Sequence, residues 1–230
     1  KINPSLSAAY NNIGVVLMEL GDLDGSIKSL KKAISMSSEE PSYYNNLGNT
    51  LRSNNNITEA RKNYQKAILI NPNYTLSLWN LSGTEKEISK ANDWLNKCLK
   101  VDSNHDESIL ALAFLDAFEG SLDKFDEIKR SSLRDHPHAR SYKWILSLPE
   151  IPKLFFYRWD FFDFVIEKSI LTRPFYEYGV FKGQSFKYLI KKIKKDFGFD
   201  TFSGLPEDWG KEKKGSYSSE GIIPKINGGN

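Results

Sequence analysis

The chain has 230 residues, of which 40% are hydrophobic and 27% charged, a composition that excludes a disordered polymer and allows one or two domains with a sizeable core. Its 32 basic and 29 acidic side chains leave a formal net charge of +3, too small to argue for a nucleic-acid partner. One cysteine, Cys98, excludes an internal disulfide and fits a reducing compartment, and no apolar run approaches the length of a membrane span. The opening residues lack the basic-then-apolar pattern of a secretion signal, so the expectation is a soluble, cytoplasmic protein that binds neither nucleic acid nor membrane. Asn56-Ile57-Thr58, Asn73-Tyr74-Thr75 and Asn80-Leu81-Ser82 match the glycosylation pattern, which carries no weight without a secretory route.

The first half repeats itself. Tyr10-Asn11-Asn12-Ile13-Gly14 recurs as Tyr44-Asn45-Asn46-Leu47-Gly48, and Lys32-Ala33-Ile34 as Lys66-Ala67-Ile68, each pair 34 positions apart. Tyr44, Leu47, Gly48, Leu51, Ala60, Tyr64, Ala67 and Pro72 place small residues where paired helices approach and large ones between them. The period and these positions resemble the tetratricopeptide repeat, strongly to about residue 103 and in degenerate form to about 139. The resemblance implies an α-helical solenoid over residues 1–139, with helix pairs at about Ser7–Glu40 and Pro41–Tyr74.

In the third repeat Ala91, Leu95 and Cys98 answer Ala60, Tyr64 and Ala67 at a spacing of 31, so three residues are missing from its first helix or turn. Cys98 falls in an alanine column, where a small buried core residue is expected rather than a nucleophile. A fourth, worn repeat is expected from Asp106 to His138, with Leu112, Ala113 and Pro137 in place, as suits a terminal repeat. Lys1-Ile2-Asn3-Pro4 matches Leu69-Ile70-Asn71-Pro72 at an offset of 68, which reads as the last turn of an earlier repeat and leads us to expect at least one more upstream.

One column suggests a binding role. Asn12, Asn46 and Asn80 fall at one position of the first helix in successive repeats, the face that lines the concave groove of tetratricopeptide arrays. A ladder of amides offers donors and acceptors to an extended peptide backbone, so these three are candidate peptide-binding residues and a protein or peptide is the expected partner. The alternative is that they are solvated or bonded to a neighbouring helix. Lys28, Lys31, Lys32, Arg61, Lys62 and Lys66 lie on second helices and read as a solvated face.

Residues 140–172 read as an aromatic-rich helical connector. Ala139 to Leu148 is helical in pattern and Pro149-Glu150-Ile151-Pro152 breaks it. Phe155, Phe156, Tyr157, Trp159, Phe161, Phe162 and Phe164 are too many aromatics for one amphipathic face, so a helical segment covered on both sides is expected. Without interleaved basic residues they do not read as a base-stacking surface. His105, His136 and His138 lack ligand spacing, and no metal site is assigned.

From Phe175 to Tyr178 a short apolar run reads as a strand, broken at Gly179 and Gly183. Helical spacing follows in Phe186, Leu189, Ile190 and Ile193, and a second strand from Phe197 to Phe199 ends at Asp200. Such a β-α-β unit brings glycines, helix amides and a strand-end acid toward an adenosyl ligand. Glu177-x-Gly179-Val180-x-x-Gly183-x-Ser185 with Gly198-Phe199-Asp200-x-Phe202-x-Gly204-Leu205-Pro206-Glu207 resembles the first half of class I S-adenosylmethionine-dependent methyltransferases. Within these it is most similar to the macrocin and mycinamicin O-methyltransferase group, over about residues 155–230.

The resemblance implies that residues 173–230 are the first β-α-β part of a truncated, Rossmann-like α/β domain. Glu177, Gly179, Gly183 and Ser185 would surround the methionine portion of S-adenosylmethionine, and Asp200 would take the ribose hydroxyls. Phe202 and Leu205 would border the adenine or substrate mouth. Methyl transfer to an oxygen of a small molecule or sugar would need alignment and a base. Only 56 residues follow Pro174, short of the size of such a domain. The catalytic base and any divalent-metal ligands would thus lie beyond the chain, no catalytic residue is assigned, and the chain alone is expected to be inactive. Two functions are therefore expected to compete: a piece of a repeat-containing methyltransferase, or a non-catalytic interaction scaffold.

Overall fold

The 34-residue period becomes a stack of antiparallel helix pairs. The computed structural model describes residues 4–173, 175–178, 184–193 and 196–199. They fall into two compact units, Lys1–Tyr157 and Arg158–Asn230.

In the first unit α1 (Pro4–Glu19) pairs with α2 (Leu23–Met36), and α3 (Pro41–Ser53) with α4 (Ile57–Ile70). The next pairs are α5 (Thr75–Ser82) with α6 (Ile88–Val101), and α7 (Asp106–Phe118) with α8 (Asp123–Arg130). A 3-10 turn, Ser132–Asp135, and α9 (Pro137–Leu146) follow, α9 packing on α7. Each second helix also packs on the first helix of the next pair, which propagates the stack.

Local chemistry sets these boundaries. Asp22 and Asn56 cap α2 and α4 by accepting from the amides of Gly25 and Glu59, and His105 caps α7 through Nδ1. The turns within the pairs need a left-handed residue. Gly21 supplies it in the first (φ 83°), Asn55 at the same register in the second (φ 61°), and Gly120 in the fourth (φ 102°). The small columns do what their size permits. Ala33, Ala60, Ala67, Ala91 and Cys98 are fully buried, and Tyr64 and Leu95 fill the space between helices. Leu30, Leu47, Leu51, Ala60, Tyr64 and Leu81 form one core cluster drawn from α2 to α5, so the hydrophobic interior runs across repeat boundaries.

The missing residues of the third repeat shorten its first helix, α5, to 8 residues against 13 in α3. In place of a left-handed turn the chain makes successive 3-10-type bonds, Thr84 N–H to Leu81 O and Glu85 N–H to Ser82 O. Glu85, buried at this corner, accepts from Trp94 Nε1 at 3.0 Å and pairs with Arg61 Nη2 at 3.1 Å. Arg61 also donates to Thr84 O. The reading of Arg61 as part of a solvated face is therefore corrected: it neutralises a buried carboxylate 24 residues away on the neighbouring pair.

The aromatic segment also departs from expectation. Helix α10 begins only at Arg158 and runs to Lys168, so Phe155, Phe156 and Tyr157 precede it and lie outside any helix. The expected connector 140–172 is divided, with α9 and residues 147–157 in the first unit and α10 in the second. The two prolines, Pro149 and Pro152, account for the non-helical stretch. Leu154 and Phe156 pack against the cluster of Ala91, Leu95, Leu112, Phe114 and Leu115, and Tyr157 Oη donates to Arg52 O at 3.1 Å.

In the second unit α10 buries Trp159 and Ile166 but leaves Phe161 and Val165 exposed, so it is not covered on both sides. Trp159 stacks on Tyr188 of α11 (Gln184–Leu189), with centroids 4.4 Å apart. Tyr188 Oη donates to Asp163 at 2.7 Å, and Lys192 reaches the same oxygen. Burial alone would raise the pKa of Asp163, but these two donors outweigh it and hold the carboxyl below its usual range. Strand β1 (Phe175–Tyr178) pairs in parallel with β2 (Asp196–Phe199), Glu177 opposite Gly198 and Tyr178 opposite Phe199. What is described is a parallel strand pair with a short helix between, and it does not amount to a Rossmann sheet. The helix expected from the spacing of Phe186, Leu189, Ile190 and Ile193 ends at Leu189 and gives way to a turn.

Candidate functional site

Helices α1, α3 and α5 lie side by side as the first helices of three successive repeats. Asn46 Nδ2 donates to Asn11 Oδ1 at 2.8 Å, and Asn80 Nδ2 to Asn45 Oδ1 at 2.9 Å, so one bond repeats between each neighbouring pair. Ser77 Oγ also donates to Asn45 at 3.0 Å, and Asn11 Nδ2 lies 3.3 Å from Asn12 Oδ1. The result is a line of side-chain amides running across three helices.

This geometry separates the three expected peptide-binding residues. Asn12 is exposed, Asn46 half-buried, and Asn80 buried with its amide given to Asn45. They are therefore not three equivalent open amides: the column first ties each helix to the one before it, as the alternative reading of these residues held. The acceptors Asn11 and Asn45 were missed. Both recur at the same 34-residue spacing within Tyr-Asn-Asn, so the signal was present in the sequence.

Beyond α5 the first unit has a half-open cavity of about 420 Å³. Its walls include Trp79 of α5, Phe114 and Phe118 of α7 and Tyr142 of α9, with the segment Pro152–Phe156 along one side. Tyr142 stacks on Phe114 at 4.2 Å, and burial pushes its hydroxyl pKa up. Among the described residues its charged lining residues are Arg52 and Lys153, and none is acidic.

In the second unit Glu177 lies on β1 and Ser185, half-buried, in the first turn of α11. Gly179, Gly183 and Asp200 lie outside the described residues, as do Phe202 and Leu205. Gly179 and Asp200 follow directly in sequence on Tyr178 and Phe199, which are register partners. Among the described residues no group of histidine, cysteine and acidic side chains could hold a metal ion, and no helix is long and apolar enough to cross a membrane.

Comparison with known proteins decides the nature of the helix pairs. Tetratricopeptide family models match residues 14–53 and 41–74. Residues 14–74 are tetratricopeptide repeats. No curated protein sequence matches the chain. Among solved structures, one of the APC/C hetero-tetramer Cut9–Hcn1 is similar at a TM-score of 0.53 and 18% identity, over 62% of this chain and 30% of that one. The thermophilic repeat protein TTC0263 of Thermus thermophilus is similar at 0.49 and 19% identity, over 61% and 80%. The first repeat domain of Spaghetti (RPAP3), bound to an HSP90 peptide, is similar at 0.48 and 15% identity, over 52% and 98%. At these identities the likeness to Cut9–Hcn1 is one of fold: the tetratricopeptide stack extends past the matched residues into the short third pair and the worn fourth.

Proposed function

We propose that the tetratricopeptide stack is an interaction module that holds an extended peptide or protein segment on the face formed by α1, α3 and α5. The observation that carries this reading is the amide bond repeated between neighbouring first helices, Asn46 to Asn11 and Asn80 to Asn45. These bonds fix the spacing of three helices, while exposed Asn12 and half-buried Asn46 retain hydrogen-bonding capacity toward a backbone laid across them. Peptides selected from a random library on the full chain should lose affinity for the Asn12→Ala/Asn46→Ala variant, with its melting temperature lowered by only a few degrees. Failure to select any peptide, or equal affinity for both proteins, would overturn the reading.

A second reading concerns residues 158–230, and the parallel pairing of β1 and β2 favours it. In this reading they belong to a methyltransferase domain that methylates a hydroxyl of a small molecule or sugar. S-adenosylmethionine would supply the methyl group. Glu177, Gly179, Gly183 and Ser185 would hold its methionine end and Asp200 its ribose, with any divalent metal bound elsewhere. Calorimetric titration of S-adenosylmethionine into the longest native chain tests this. Saturable binding lost in Asp200→Ala supports the cofactor site, and no binding by a folded protein leaves a non-catalytic scaffold.

A further inference from the structure

The 420 Å³ cavity lies beyond the amide line and is not used by either reading above. Its size is that of a small-molecule site, and its walls have the usual composition of one, aromatic and aliphatic side chains with few polar groups. Trp79, Phe114, Phe118 and Tyr142 supply flat surfaces from three different helices. Tetratricopeptide hairpins pack small residues where helices meet, as at Ala60 and Ala67, and an open space of this size departs from such packing.

The charge at the wall narrows the ligand. Arg52 reaches the cavity beside Gly83: a β-carbon built on that glycine would lie 3.7 Å from Arg52 Nη1. Arg61, by contrast, is paired with Glu85. Among the described residues no carboxylate pairs with Arg52, and the lining includes a second cation, Lys153, and no acid. A guanidinium at the edge of an apolar space favours an anion whose body fills that space, because it can form a charge-assisted, bidentate bond with a carboxylate or sulfonate.

We propose that this cavity binds an amphipathic organic acid, a single anionic group held by Arg52 with an aromatic or alkyl body lying against Trp79, Phe114 and Tyr142. The segment Pro152–Phe156 forms one wall, with Leu154 and Phe156 anchored on the same core cluster as Phe114 and with Tyr157 tied to α3 through Arg52 O.

The test uses two fluorescent probes with related ring systems on the full chain: 1-anilinonaphthalene-8-sulfonate, an acid, and N-phenyl-1-naphthylamine, which is neutral. The acid should bind saturably with one site per chain and be displaced by dodecanoate. Ala111→Trp, which fills the cavity from α7, should abolish binding of both probes. Arg52→Gln, which removes the charge but keeps a polar side chain, should weaken the acid about tenfold and leave the neutral probe unchanged. Thermal unfolding checks that both variants remain folded. Binding that persists in a folded Ala111→Trp variant would place the probe elsewhere. An acid affinity unmoved by Arg52→Gln would remove the anion site, and no saturable binding of either probe would remove the cavity as a site altogether.

Discussion

Gly48 of α3 lies directly against the ring of Tyr64 of α4: a β-carbon at position 48 would fall 2.4 Å from Tyr64 Cε1. Tyr64 has no room to yield, because it is fully buried and its hydroxyl donates to Asn49 Oδ1 at 2.9 Å. Gly14 meets Leu30 in the same way one repeat earlier, at 2.5 Å. Alanine would gain about 1 kcal/mol of helix propensity over glycine, but overpacking a rigid core costs roughly 1–3 kcal/mol or more. Gly48→Ala should therefore be net destabilising by up to about 2 kcal/mol in urea unfolding, and a stabilised variant would show that the ring can move.

Asn45 is the acceptor on which two donors of the next repeat converge, Asn80 Nδ2 and Ser77 Oγ, all three side chains being buried. Asn45→Ala strands both donors, at a cost of about 1–3 kcal/mol each. Asn46→Ala removes one bond at a half-buried site and should cost no more than about 1 kcal/mol. Chemical denaturation of the two variants should rank them in that order; equal losses would mean that the inter-repeat bonds do not depend on burial.

Burial pushes the hydroxyl pKa of Tyr64 up to about 12 from 10.0. A group whose folded pKa is raised contributes stability that is complete below the unfolded value and is lost as pH rises through the folded one, here between 10.0 and about 12. Two units correspond to roughly 3 kcal/mol over that window. The melting temperature should fall steeply above pH 10, and Tyr64→Phe should flatten the fall while losing the bond to Asn49 at neutral pH. An unchanged alkaline slope in Tyr64→Phe would assign it to other groups.

The Arg61–Glu85 pair makes a further case. Arg61→Met leaves the Glu85 carboxylate buried with Trp94 as its remaining donor, a loss of about 2 kcal/mol once the partial exposure of Arg61 is allowed for. Glu85→Gln in the same background should recover part of it, since a neutral amide costs less to bury. A double-mutant cycle measures the coupling, and additive effects would dismiss the pair as structural glue.

The helix pairs were legible in the sequence because burial there depends on size alone. Ala60, Ala91 and Cys98 follow one column even where the spacing shrinks to 31, and all three are fully buried. The amide line was only half legible. Asn45 and Asn46 recur with the same period, and which of two adjacent residues turns inward depends on helix rotation against a neighbour 35 residues away, as Asn80 shows by bonding Asn45. Arg61 looked like a solvated charge because nothing local in the sequence points to Glu85 as its partner. The prolines at 149 and 152 marked a break, but nothing local tells that Tyr157 will bond Arg52 O across 105 residues. For the second unit the strand order was readable, whereas Gly179, Gly183 and Asp200 lie outside the described residues.

The most direct test of the interaction module is to locate a selected peptide on the full chain by amide hydrogen exchange with and without it. The account predicts added protection along α1, α3 and α5, centred on Asn12 and Asn46, with α2 and α4 unchanged. Protection confined to the second helices, or to residues 158–230, would contradict it.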